Sequence, residues 1–374
     1  MICLLVFIKV MLNNRLKINL EVNRETCGIT MDKKNIGLIG LGKMGLLHMG
    51  ILKNITNCDV VSIAEEHKII VSALKKYIPD IHGYKDYQEM LDTEQLDIIY
   101  ITTPVFLHKE MILESMKHHL HIFVEKPMAM NMAECKEIVS KNFDRKTMVG
   151  YVRRFSGTYN FAKTLIDGDE LGSIQHLSSH LFVSEVMSKG SGWKFQKEKS
   201  GGGVLIDLGC HAIDLFHFLF GDIAEVHAYG QSIFTTVEDD VHINMKFAKG
   251  YVGSFHLSWS KRGYRLPEFK ITIQLEKGDI EVTEKYIKVF SENDTRSLKK
   301  GLNIFYQQHL SKPVPINIGG ADFTLEDMHF IDCIQDDVEP IANFTESAKV
   351  SLVIDKLYSS MNNQTIEQIN YTVI

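Results

Sequence analysis

Between position 31 and about position 151, short apolar runs alternate with stretches in which apolar residues recur every three or four positions. This is the pattern of strand–helix–strand units around a parallel sheet. The runs predict strands at 36–39, 60–64, 98–102, 122–124 and 147–150. Between the first two, Met44, Leu47, Ile51 and Ile55 fall on one side of a helix. Asn131, with Glu134 three residues on, reads as the capping box of another helix. After about Arg154 the period shortens to two. Val241, Ile243, Met245 and Phe247 alternate up to Lys249 and Gly250, and Tyr251, Phe255, Leu257 and Trp259 continue beyond, which predicts an antiparallel hairpin. Ile271, Ile273 and Leu275, turning at Gly278 into Ile280 and Val282, predict a second. A last helix, about 346–361, carries Val350, Val353, Ile354 and Leu357 as a stripe that docks on the body.

The chain has 374 residues, enough for two domains with cores of their own. Its 41 basic and 47 acidic side chains leave a formal charge of -6, which gives no electrostatic reason for a nucleic-acid partner. The six cysteines form no CxxC pair and read as reduced thiols. The apolar run from Ile2 to Ile8 is too short for a bilayer, and Lys9, Arg15 and Lys17 follow it rather than precede it as in a secretory signal. No membrane association is expected, and the protein is expected to be cytoplasmic. Met31 opens a clean first strand, so residues 1–30 are expected to be an extension outside the fold.

The first strand runs directly into Gly40-Leu41-Gly42-Lys43-Met44-Gly45 and then into the predicted helix. Gly40 permits the tight turn, Gly42 lets backbone approach a pyrophosphate, Gly45 allows close helix–sheet packing, and the helix N-terminus offers free N–H groups. Glu65, at the end of the second strand, is placed to accept hydrogen bonds from an adenosine ribose. With Glu66 beside it and no basic residue before Lys68, a 2′-phosphate meets negative charge, which favours NAD over NADP. Thr103 and Pro104 end a strand at the carboxyl edge of the sheet, where ligands lie in such folds. Lys126 follows another strand at that edge and precedes a proline. The expected fold class is α/β: a Rossmann domain with a doubly wound parallel sheet over 31–153, then an α+β domain with a predominantly antiparallel sheet over 154–374.

Asp207 and His211 are four residues apart, so on a helix they share a face, with Asp214 one turn further along. By spacing alone such a pair fits two metal ligands or a structural core pair as well as a working pair, and the choice falls to the resemblance below. Further ligands for a metal are lacking, and no metal is expected. The cluster of His118, His119 and His121 reads as a helix end before a buried strand, with His119 in the residue position that closes the helix.

In combination, the glycine loop, the ITTPVFLHKEM segment, the Glu125-Lys126-Pro127 triplet, the run from Tyr151 to Phe155 and GGGVLIDLGCHAIDLFHFLFG closely resemble the glucose–fructose oxidoreductase / inositol dehydrogenase (Gfo/Idh/MocA) family, over residues 33 to 365. The resemblance implies hydride transfer between NAD and a secondary alcohol of a sugar, cyclitol or sugar derivative. It assigns catalysis to Lys126, Asp207 and His211 and adds His108 and Glu125 to the cofactor contacts. Arg154 and Trp193 become candidates for the substrate cleft. It also implies an open sheet face that pairs subunits into a homodimer or homotetramer and shows a large apolar patch. A catalytically silent nucleotide- and sugar-binding regulator, and a reductase of a non-sugar substrate such as an imine or tetrapyrrole, are the alternatives on this fold. The segments around 184–200 and 306–323 are expected to shape the substrate pocket.

Overall fold

The computed structural model describes residues 33–67, 70–72, 76, 78–188 and 192–374; the expectations for residues 1–30 and Lys68 lie outside the described residues. β1 (Lys34–Ile39) and β4 (Ile98–Ile101) are apolar on both faces because they run through the middle of a covered parallel sheet. Around them stand β2 (Cys58–Ala64), β3 (His82–Tyr84), β5 (His121–Val124) and β6 (Thr147–Val149), in the order β3-β2-β1-β4-β5-β6, all parallel. The chain reverses its direction of travel across the sheet between β1 and β4, which opens a crevice at their carboxyl ends. Into it lead the loops after β1, β4 and β5, which carry the glycine turn, Thr103 and Lys126. Strand β3 escapes the period-two pattern because it is a three-residue edge strand centred on Gly83.

The covering helices include α1 (Lys43–Leu52), α2 (Tyr87–Thr93), α3 (His108–Lys117) and α4 (Met132–Val139). The Asn131 side chain accepts the Glu134 N–H at 3.0 Å, and Glu134 reaches back to the Met130 N–H at 3.1 Å, one residue earlier than a standard capping box. His119 closes α3 in the left-handed region at φ 54°, a position glycine takes more cheaply.

The second domain opens with α5 (Gly157–Asp167) and is built on β7 (Ile174–Phe182), α6 (Cys210–Phe220), β8 (Ile223–Gln231), β9 (Asp240–Phe247), β10 (Val252–Ser258), β11 (Glu268–Leu275), β12 (Gly278–Val282), β13 (Tyr286–Ser291), β14 (Gly301–Tyr306) and β15 (Glu367–Gln368). The order is β14-β13-β12-β11-β7-β10-β9-β8-β15, antiparallel except for the β7–β10 pair. A single π-helical turn, Leu205–Gly209, leads into α6. The stretch Lys197–Phe220 is apolar and long enough to cross a membrane, yet 78% of its most apolar window is buried within the protein, as in the core helix of a globular domain. Two last helices, α7 (Ala321–Gln335) and α8 (Phe344–Asn363), return to the first domain, α7 against α1 and α8 against α4.

Strand register corrects the expectation of an apolar open face. Asn244, Ser254, Ser178, Thr272, Glu281 and Lys288 stand side by side across six strands, so the middle of that face is polar. Exposed apolar side chains gather instead at the β13–β14 edge, where Phe290, Leu302 and Ile304 lie together.

Candidate active site

The turn after β1 is built around two close approaches. Gly40 has φ +87°, and a Cβ on Gly45 would stand 2.1 Å from the Gly40 carbonyl oxygen, so each position demands glycine. Gly42 differs, since a Cβ there would meet nothing within 4 Å. It faces a cleft of about 1000 Å³ lined by Gly40, Leu41, Glu65, Glu66, Thr103 and Pro104 among others. The first turn of α1 has no side-chain cap and no acidic residue, which leaves its N–H groups to a phosphate. Glu65 lies at the mouth of β2 as expected, and its Oε2 also accepts the Leu41 N–H at 2.7 Å, so the acid fastens the glycine turn from across the cleft. These features fit a dinucleotide.

That cleft continues past Gly42, Thr103 and Pro104 into a space of about 410 Å³, where Lys43, Met44, Lys126, Trp193, Lys194 and Asp207 meet. Lys126 Nζ donates to the Asp207 carbonyl oxygen at 2.9 Å and to its Oδ1 at 3.2 Å. Lys194 Nζ lies 2.7 Å from the other carboxylate oxygen. Burial opposes the charge on Lys126, but Asp207 and Glu125 outweigh it and hold the ammonium above its ordinary range. By the same pairing the two lysines overcome burial and keep Asp207 ionised below the usual carboxylate value. Sequence reasoning missed Lys194. It sits beside Trp193 in a segment without periodicity, and nothing local marks it.

Beyond Met44, Glu125 and Lys126 opens a third space of about 590 Å³, lined also by Arg153, Ser156, His211, Glu284, Gln307 and Asp322. His211 Nδ1 is shut off from solvent and has no hydrogen-bond partner among the described residues. Burial, then Lys126 and Arg153, push its pKa well below 6.5, so the ring is neutral. The expected partnership of His211 with Asp207 is not formed, because both oxygens of that carboxylate are taken by lysines.

Two further expectations are corrected. Arg154 is not in the cleft. On the 3₁₀ turn Val152–Phe155 neighbouring side chains diverge, and Arg154 turns into the core, where its Nε and Nη2 hold Asp214 at 2.7–3.0 Å and its Nη1 holds the Ile341 carbonyl. Arg153, its neighbour, lines the third space instead, 3.1 Å from Glu284. His108 also lies behind the site. Its ring spans the Pro127 carbonyl at 2.9 Å and the Thr103 carbonyl at 2.8 Å, tying two cleft loops together from the buried side.

Glu125 lines the cleft and is anchored from within by a residue the sequence did not single out. His48 of α1 lies 3.1 Å from Glu125 and 2.9 Å from Asp327 of α7, fully buried and ringed by Tyr100, Phe123 and Phe323. Burial opposes its charge, and the two carboxylates overcome this and raise its pKa well above 6.5. The helical period could have found it, four residues after Met44 on the stripe that faces the sheet.

Residues 34–151 match the family model described as the GFO/IDH/MocA oxidoreductase family, NAD-binding Rossmann fold, and residues 159–281 match the GFO/IDH/MocA C-terminal domain. The chain belongs to the GFO/IDH/MocA family. It is thus an NAD-binding oxidoreductase. An uncharacterized oxidoreductase, YrbE, of Bacillus subtilis (strain 168) is 24% identical over 302 residues, covering 79% of each chain. Inositol 2-dehydrogenase of Salmonella typhimurium is 25% identical over 229 residues, 57% of this chain and 64% of that one. Among solved structures, levoglucosan dehydrogenase in complex with NADH superposes with a TM-score of 0.82 at 22% identity, over 91% of this chain and 100% of that one. At that identity the likeness is one of fold. The dinucleotide cleft lies in the part that matches the NAD-binding Rossmann model, and Lys126 lines both the 410 Å³ and the 590 Å³ spaces beyond it.

Proposed function

We propose that this family member is an NAD-dependent dehydrogenase that oxidises a secondary alcohol of a sugar, cyclitol or sugar derivative. The observation that carries the reading is Lys126, held protonated against Asp207 on the wall shared by the 410 Å³ continuation of the dinucleotide cleft and the 590 Å³ space beyond it. Relatives named for inositol and for levoglucosan support the substrate class. Bound NAD supplies the hydride acceptor. The chain's own part is to place the substrate oxygen against the Lys126 ammonium, which stabilises negative charge as it develops there. His211, neutral and lining the same space, receives the hydroxyl proton, while Asp207 and Lys194 fix the position of Lys126. Trp193 lines the 410 Å³ space between the dinucleotide cleft and that pocket. A homodimer or homotetramer remains part of the reading.

The test is a panel of aldoses and cyclitols followed by NADH absorbance. We expect turnover with kcat/KM at least about tenfold higher for NAD than for NADP, the effect of one unfavourable charge contact at Glu65. Glu65→Ser should narrow the preference. Equal use of NADP overturns the role given to Glu65. NADH binding without turnover of any polyol overturns the dehydrogenase and favours a silent regulator.

A further inference from the structure

The charged groups lining the 590 Å³ space can be matched one by one. Lys126 is offset by Asp207, 3.2 Å away, and Arg153 by Glu284, 3.1 Å away. Glu125 is offset by His48, 3.1 Å away. His211 is uncharged at neutral pH. That leaves Asp322. It lines the space from the first turn of α7, and its Oδ1 is shut off from solvent with no hydrogen-bond partner among the described residues. Burial, and then Glu284, push its pKa up to about 6, so it is still mostly ionised at pH 8.

Gly319 and Gly320, at the N-terminal end of α7, line the same space. A helix N-terminus attracts anions with roughly half an elementary charge. Here the full negative charge of Asp322 sits in that same turn and more than cancels it. The wall therefore carries a carboxylate with one acceptor oxygen still lacking a donor, and a local excess of negative charge.

We propose that Asp322 makes this space selective for an uncharged polyol: its carboxylate receives a substrate hydroxyl and turns away sugars that carry a carboxylate or a phosphate. The inference rests on the dehydrogenase reading for its reaction, but its binding consequence stands apart from turnover. A buried carboxylate left without a donor costs free energy that a hydroxyl recovers, and a second anion placed beside it adds repulsion.

The experiment pairs neutral sugars with anionic counterparts of the same ring or chain, glucose with gluconate, glucuronate and glucose 6-phosphate, and myo-inositol with an inositol monophosphate. Each is titrated calorimetrically into NADH-loaded protein at pH 8 and assayed for NAD reduction. The wild type should favour the best neutral member over its anionic counterparts by at least about tenfold in Kd, and in kcat/KM where turnover occurs. Asp322→Asn keeps the shape and removes the charge, so it should shrink that ratio at least about tenfold, with the neutral ligand losing through KM rather than kcat. If Asp322 serves only to start α7, Asp322→Asn and Asp322→Ala lower the melting temperature and leave the ratio unchanged, which overturns the proposal. Preferred binding of an anionic sugar by the wild type also overturns it. Selective binding of neutral polyols with no turnover supports the charge selection and overturns the dehydrogenase reading instead.

Discussion

Replacing Lys126 by alanine is expected to lower kcat at least about a hundredfold while leaving NADH affinity within a fewfold of the wild type, because a positioned proton-handling or charge-stabilising group contributes roughly 10² to 10⁴ in rate. The variant removes the ammonium that lies 3.2 Å from Asp207 and leaves that carboxylate to Lys194 alone. His211→Ala should cost a similar factor, and the double variant far less than the product, since groups acting on one oxygen are not additive. The pH profile separates the two roles. His211 is held well below 6.5 and Lys126 above its ordinary value, so oxidation by the wild type should be level through neutral pH. It should fall on the acid side as His211 gains a proton. A His211→Ala enzyme with normal kcat and the same acid limb would leave Lys126 to act without it.

The largest effect on stability is expected from His48→Ala. The substitution leaves Glu125 and Asp327 facing an empty, buried position, and breaking a buried pair by removing one partner typically costs about 3–5 kcal/mol. Denaturant unfolding at fixed pH measures it. Because the folded-state pKa of His48 lies above 6.5, its contribution is complete below about 6.5 and is lost as pH rises through the folded value. The gap between variant and wild type should therefore be widest near pH 6 and shrink at alkaline pH. Asp327→Asn in the His48→Ala background should cost much less than it does alone, since the two share one contact. A loss under 1 kcal/mol would mean that the interior tolerates the two acids without their cation.

The parts of this molecule that could be read in advance are those fixed by short-range geometry. Gly40 and Gly45 announce themselves because two backbones meet there and no side chain fits, and Asn131 because a cap must precede its helix. The parts that could not be read depend on which way a neighbour points. Arg153 and Arg154 are adjacent and alike, and only the position of Asp214 in the folded core decides which one turns inward. Lys194 reaches Asp207 from a segment with no pattern, and Asp327 reaches His48 from 279 residues away. Partner choice of this kind is settled by tertiary packing. The open sheet shows the same limit: alternation gave its inward residues correctly, but the chemistry of its outward residues is unconstrained by the core.

The π turn at Leu205–Gly209 makes the site sensitive to insertion and deletion rather than to substitution alone. A π turn holds one residue more than an α turn, and removing that residue from the segment before Asp207 rotates what precedes the helix by about 100° relative to α6. The apolar face of α6 would keep its place on the sheet, while the approach to Asp207 and its two lysines would be rewired. A single lost codon could thus retire this arrangement without unfolding the protein, and a single gained one could restore it.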